Sequence, residues 1–149
     1  PLWAERHPRR AAWMALAGPA ANLTLLLFAA VMIRVGVWLE YFDAPQVARF
    51  TQGVTAAEPW ALRALAVVLS ITFVLNLILF LFNLIPLPPL DGHGAITLLM
   101  SEDTARSFRQ TSQSFGMIGL LLAWFLFGRV FDPIYTLALN LLHPGAGYH

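Results

Sequence analysis

An all-α membrane protein, a polytopic bundle of transmembrane helices, is the fold class this sequence predicts, and three observations predict it. Of 149 residues, 58% are hydrophobic and 11% charged, with a mean hydropathy of +0.68, too apolar for an ordinary soluble domain of this size. Three runs of 19 or more residues carry no charge. The second of them ends on a cluster of prolines, where a helix has to stop. The whole chain, 1–149, reads as a single transmembrane domain, with spans near 11–34, 64–85 and 112–128 and a short helix at 133–142. No internal repeat or low-complexity tract is evident.

Composition also excludes partners. A net charge of +1 leaves no basic stripe to neutralise phosphates, so no nucleic acid is expected. All nine cations are Arg. Cysteine is absent, which rules out disulfides and thiolate metal sites, so any metal ligands are His or carboxylate. The chain opens on Pro1, and no charged region with a cleavage site precedes the first span, so that span is no signal peptide. It reads as a fragment that lacks its N-terminal portion.

Residues 1–10 place Arg6, Arg9 and Arg10 just ahead of the first apolar run, as a juxtamembrane anchor; His7 is read as a surface histidine. Ala11 to Ile33 gives 23 charge-free residues, enough to cross a hydrocarbon core of about 30 Å. Ala11, Ala15, Gly18 and Asn22 recur at helical spacing, so one face is small and polar and is expected to pack closely on another helix. Pro19 leaves the Ala15 carbonyl without its usual partner and predicts a bend. Gly18 and Pro19 are accounted for by packing and that bend, whereas the amide of Asn22 needs a partner inside lipid.

Between Arg34 and Arg63 the chain turns polar, with Glu40, Asp43, Pro45, Arg49, Gln52, Gly53, Glu58 and Pro59. This predicts a loop with a short interfacial helix that carries Trp38, Tyr41, Phe42 and Trp60 at headgroup level. Ala64 to Ile85 is charge-free for 22 residues and forms the second span. Its Thr72, Asn76 and Asn83 lie within about 40° of one another on the helix wheel, a polar face turned to the bundle or to a wet cavity. For Thr72 and Asn76 the expected role is hydrogen bonding between helices.

The second span ends in Asn83-Leu84-Ile85-Pro86-Leu87-Pro88-Pro89-Leu90-Asp91-Gly92. Pro86 has no N–H, so the helix should stop at about Leu84 or Ile85. Pro88 and Pro89 then predict a stiff, extended, polyproline-like piece from Pro86 to Leu90 that presents Asp91, and Gly92 predicts a tight turn. A carboxylate at bilayer depth is costly unless it is paired, bound to metal or wet, which makes Asp91 a functional candidate. It serves equally as the N-cap of a helix from Gly92 to Met100. After a polar connection through Ser101, Glu102, Asp103, Arg106 and Arg109, Gln110 to Gly128 is a third span. Asp132 and Pro133 read as N-cap and first residue of the last short helix.

Asn-x-x-Pro-x-Pro-x-x-Asp-Gly at 83–92, after Ala17-Gly18-Pro19-Ala20-Ala21-Asn22 in an earlier helix, resembles the site-2 protease family of intramembrane zinc metalloproteases, peptidase family M50. The order and separation of the two motifs carry the resemblance, which covers essentially the whole chain as the C-terminal part of such an enzyme. It implies one catalytic Zn2+, with Asp91 as the third metal ligand. The other two ligands would be the histidines of an H-E-x-x-H helix, and its glutamate the general base. None of His7, His93, His143 and His149 forms that motif, so no catalytic residue is expected within this chain, which alone should be inactive.

The resemblance further implies peptide-bond hydrolysis in a transmembrane or membrane-proximal substrate, at a cleft lined by Gly18, Asn22, Asn83, Pro86 and Gly92. Asn22 and Asn83 would bind backbone groups of a locally unwound substrate. His93 is placed beside the metal shell rather than in it. The Arg distribution puts the N-terminal flank, the loop after Asp91 and the active-site end toward the cytoplasm, here of a prokaryotic plasma membrane. Two rivals stand: a catalytically inactive scaffold with the same fold, and a transporter whose broken helix lines an ion path. An H-E-x-x-H helix before Pro1 would separate the first from the protease. A transporter predicts a second broken helix, and the sequence shows none.

Overall fold

The computed structural model describes residue 3 and residues 6–45, 51–56, 59–112 and 116–148. In chain order these form α1 (Pro8–Trp38), α2 (Trp60–Leu84), α3 (Asp91–Ala95), a 3-10 turn (Ile96–Leu99), α4 (Glu102–Ser112) and α5 (Gly116–Leu142). Among the described residues there is no strand, only an isolated antiparallel bridge between Asp43 and Thr55. The fold is all-helical, and α1, α2 and α5 are long and apolar enough to cross a membrane. Their 31, 25 and 27 residues give about 46, 38 and 40 Å at ~1.5 Å per residue, each more than the ~30 Å of hydrocarbon. Trp13, Phe28, Trp124 and Leu141 are all more than half exposed, surface that lipid rather than water would cover.

The spans run past the charges that were expected to end them. α1 continues through Arg34 to Trp38, and α2 starts at Trp60, ahead of Arg63. A long Arg side chain carries its charge away from its own Cα, so a cation near a helix end does not stop the helix. Arg34 donates to the carbonyl of Leu142 at 3.2 Å, satisfying one of the free acceptors at the end of α5. The interfacial helix expected between the first two spans does not form in residues 39–45 or 51–56. Phe42 is buried against Gly36. Arg49 and Glu58 of that loop lie outside the described residues.

Two further expectations are corrected. Asp132 and Pro133 do not begin a new helix, because α5 runs unbroken through Pro133. An internal proline costs about 3 kcal/mol, whereas two new helix ends in lipid would free about four N–H and four carbonyl groups at several kcal/mol each. The continuous helix wins, and 133–142 is its last part. The start expected for the third span at 112 falls in α4, and residues 113–115 lie outside the described residues. The polar connection after Met100 is the amphipathic helix α4, with Glu102 and Asp103 in its first turn and Arg109 in its last, the placement that complements a helix dipole.

The chain divides into two compact units, one of residues 1–21 and 79–129, the other of 22–78 and 130–149. The second is cored by Leu26, Ala29 and Ile33 of α1, Leu69, Phe73 and Leu77 of α2, and Leu139 and Leu142 of α5. Polar side chains of α2 bond back within their own helix instead of across to another. Thr72 Oγ1 donates to the Val68 carbonyl at 2.8 Å, and Asn76 Nδ2 to the Thr72 carbonyl at 2.8 Å. The i−4 carbonyl lies within reach of any helical hydroxyl, so the group is satisfied without a neighbour.

Two crossings are expected between the segment before α1 and α4, since α1 and α2 are each long and apolar enough to span. With no native cysteine in the chain, single cysteines at Arg6 and Arg106 should react with an impermeant thiol reagent from the same side of the membrane, and one at Gln52 from the opposite side. Reaction of positions 6 and 106 from opposite sides would refute the two crossings.

Candidate functional site

The three prolines at 86, 88 and 89 remove three donors just after α2, and the structure shows how the chain copes. α2 ends at Leu84. Ile85 N–H then reaches the Phe82 carbonyl at 3.2 Å, Leu87 N–H the Ile85 carbonyl at 2.8 Å, and Leu90 N–H the Leu87 carbonyl at 3.0 Å. The segment is thus a succession of tight turns with a cis Pro88–Pro89 bond, not the extended polyproline-like piece expected. Each N–H that the prolines leave finds a carbonyl two or three residues back, which an extended strand at membrane depth would not provide.

Asp91 is the first residue of α3. Leu90 is the N-cap, and no side-chain cap bond is made, so the N-cap role weighed for Asp91 does not hold. The expected helix through Met100 is α3 followed by the 3-10 turn. Gly92 is buried within α3 and is not a turn glycine, since positive φ among the glycines occurs only at Gly145 and Gly147. Its role is close approach. A Cβ on Gly92 would lie 2.5 Å from the Ile85 carbonyl oxygen and 2.6 Å from the Leu84 carbonyl carbon, so only glycine lets α3 sit on the broken end of α2.

The small face of α1 receives α3. A Cβ on Gly94 would lie 2.8 Å from Ala15 Cβ, and one on Gly18 would lie 2.5 Å from Asp91 Oδ2. The two motifs therefore meet: the missing side chain of Gly18 is the space that the Asp91 carboxylate occupies. α5 closes the other flank, with Gly119 so near the Pro88 carbonyl that a side chain there would overlap it. Phe82 and Phe127 meet edge to face at 5.5 Å. Between the proline segment, α4 and α5 lies a cavity of about 260 Å³ lined by Pro86, Leu87, Pro88, Phe108, Ser112 and Leu122 among others.

His93 stands apart from the carboxylate's contact with α1. Its ring stacks on Phe108 at 4.9 Å, and its Nε2 meets the Ser112 hydroxyl. Ser112 commits its proton to the Phe108 carbonyl at 2.5 Å, so His93 Nε2–H is the donor. Burial first, and then the Arg109 guanidinium, hold the imidazole below its ordinary pKa of 6.5 and keep it neutral. Arg109 itself donates to the Pro8 carbonyl at 3.0 Å and to Thr97 Oγ1 at 2.8 Å, tying α4 to α1 and to the 3-10 turn.

Asn83, one turn before the break, is half-buried, and its amide bonds to no other described residue. Asn22 is half-buried on α1 and likewise unbonded, but it belongs to the other unit, whereas Gly18, Asn83, Pro86, Asp91, Gly92 and His93 share one. Gly94, Gly119, Phe108, Ser112 and Arg109 were not foreseen as parts of the site. Small residues in apolar runs were the signal for the glycines, and the dipole-matched ends of α4 for the others. Among the described residues no three His, Cys, Asp or Glu side chains converge on a metal position. A catalytic zinc takes three protein ligands, and Asp91 is one oxygen donor. The described residues therefore do not make a zinc site by themselves.

The glycine contacts differ in kind, and the difference is measurable. At Gly18 the obstacle to a side chain is the end of a carboxylate that can swing away. Gly18→Ala should change stability by less than about 1 kcal/mol while displacing Asp91. At Gly92 the obstacle is backbone, and Gly92→Ala should cost at least about 2 kcal/mol. Equilibrium unfolding in detergent checks both, and equal losses at the two positions would contradict these contacts.

Comparison with known proteins gives two results. The sequence model of peptidase family M50 matches residues 3–126. A protein of Bacillus subtilis (strain 168) named "Putative zinc metalloprotease YwhC" is 33% identical over 118 residues, 78% of this chain and 47% of that protein. The chain thus spans about half the length of that curated relative. No solved structure matches it.

Proposed function

The chain belongs to peptidase family M50, and from that premise we propose that it forms part of an intramembrane zinc metalloprotease of the site-2 type, in which Asp91 supplies one metal ligand. The observation that carries the reading is the state of this carboxylate. It sits at the break of a membrane helix, makes no cap bond and occupies a space left open by a glycine 73 positions earlier. Two histidines from the part of the protein outside this sequence would complete the ligand set. When bound, the zinc would supply Lewis acidity toward a scissile carbonyl and a water acidic enough to ionise near neutral pH.

This chain's own residues bind and orient. The small face of α1 and the seat of Gly92 on the end of α2 fix α3, and with it the carboxylate. The cavity beside Pro86, Leu87 and Pro88 borders the irregular backbone, as expected where non-helical chain is tolerated at membrane depth. The amide of Asn83 would pair with the backbone of a transmembrane substrate opened locally for cleavage. His93, its Nε2–H engaged by Ser112, supports α3 without binding metal. The active-site end would face the cytoplasm of a prokaryotic plasma membrane.

The 149-residue chain alone should neither bind zinc tightly nor cleave a substrate, and the full-length protein should do both. In the full-length protein Asp91→Asn keeps the volume and removes the charge, so zinc content and cleavage of a model transmembrane substrate in detergent should fall together, by about 100-fold or more in rate, with the fold intact. His93→Ala should cost less than tenfold. An Asp91→Asn protein with parent zinc content and activity would remove Asp91 from the site. A full-length protein with neither zinc nor activity would mark an inactive scaffold.

A further inference from the structure

We propose that the segment after α5, residues 143–148, is a proton-operated latch on the loop between α1 and α2, with His143 as its switch. All of it lies within the second unit. Tyr148 Oη donates to the Pro45 carbonyl at 2.8 Å, 103 residues away. Its backbone is held to α5 by a reciprocal pair, Asn140 Nδ2 to the Tyr148 carbonyl at 3.0 Å and Tyr148 N–H to Asn140 Oδ1 at 2.9 Å. His143 Nε2 meets the Gly53 carbonyl at 2.7 Å. The next residue of the loop, Val54, donates its N–H to Ser70 Oγ of α2 at 3.1 Å. The loop is therefore fastened at Pro45 and Gly53 by this segment and at Val54 by α2.

The bond at Gly53 fixes the state of the ring. A carbonyl only accepts, so Nε2 carries the proton and Nδ1 is the bare lone pair of a neutral imidazole. His143 is 4% exposed, and its Nδ1 is buried without a hydrogen-bond partner. A buried acceptor with no donor is tolerable while neutral. Once Nδ1 takes a proton from solvent, the ring is a cation with an N–H that has nothing to bond to. The groups that meet it offer no relief: from α1 the Arg34 guanidinium, a like charge; from the residues after α5 the Tyr148 ring, with centroids 6.3 Å apart; from the loop the Gly53 carbonyl, already used. No carboxylate among the described residues pairs with His143.

Burial and Arg34 lower the His143 pKa below its ordinary 6.5, partly opposed by the bond to Gly53. A free segment would titrate near 6.5, so the open state holds more protons than the latched one just below that pH. Latching is thus fully stable above about pH 6.5 and weakens as pH falls below it. Phe42, seated on Gly36, and the Asp43–Thr55 bridge belong to the same loop. Release of residues 143–148 would remove the ties at Pro45 and Gly53 and leave the loop held by Val54 on Ser70 and by its own bridge.

Spin labels at Gln52 and Ala146, both exposed, on a cysteine-free background of the full-length protein in lipid nanodiscs would report the distance between the loop and this segment. One short distance is expected at about pH 7.5 and a longer, majority population at about pH 5. His143→Gln retains an amide donor for Gly53 and cannot take up a proton, so it should stay short at both. A wild-type distance unchanged at about pH 5, or His143→Gln that opens as the wild type does, would overturn the latch. Should His143→Gln fail to close at about pH 7.5, Tyr148→Phe decides. Losing the bond to Pro45 should raise the opening midpoint by about half a pH unit or more, and an unmoved midpoint would overturn the proposal.

Discussion

A peptide group in lipid has no water to bond to, and three prolines within four residues at the end of α2 make that the governing constraint on the site. The helix cannot continue, and the chain beyond it cannot run extended without leaving groups bare. It turns back on itself instead, and α3 sits against the backbone of Leu84 and Ile85 at a distance that only Gly92 permits. The position of Asp91 follows directly, since it is the residue before that glycine. Gly18 then provides the space for its carboxylate. Break and cover are one solution to a packing and hydrogen-bonding problem, and the carboxylate is placed by it, which is why prolines, aspartate and glycine stand together in so short a stretch.

What the sequence made legible was whatever the membrane enforces. Three apolar runs became three long helices, and the helix end at Leu84 was readable from Pro86 alone. The approach of α1 by its small face was readable from Ala15 and Gly18 at helical spacing, although the sequence could not say that α3 would fill it. Two departures come from lipid as the solvent, where a signal calibrated on water carries a different weight. Asp132 and Pro133 make a good helix start in a soluble protein, yet ending a helix inside an apolar run costs more than one proline. Thr72 and Asn76 find the i−4 carbonyl of their own helix and need no neighbouring helix as acceptor. α4 was missed for another reason. It lies outside the apolar pattern, and only the acidic first turn and Arg109 in the last marked it.

His93 and His143 show how a shared direction of titration can serve different ends. Both rings are held neutral by burial with an Arg nearby. His93 spends its N–H on Ser112 and leans on Phe108, an arrangement that props a short helix. His143 spends its N–H on a backbone carbonyl of a distant loop and leaves a buried lone pair unmatched. The first is a brace. The second stores a response to acid, because its neutral form alone is compatible with its surroundings.

Arg109 bridges the Pro8 carbonyl and Thr97, so the beginning of α1 is bonded to chain 101 residues later. The unit that holds Asp91 draws on residues 1–21 and then on nothing before 79. At ~5–20 residues per second of synthesis, the 70 residues from 21 to 91 take about 4 to 14 s to appear. Throughout that interval Ala15 and Gly18 have no α3 to receive, and their face of α1 is open to any helix in the same bilayer. Small residues that let backbones meet closely are also the ones most readily claimed by a stranger.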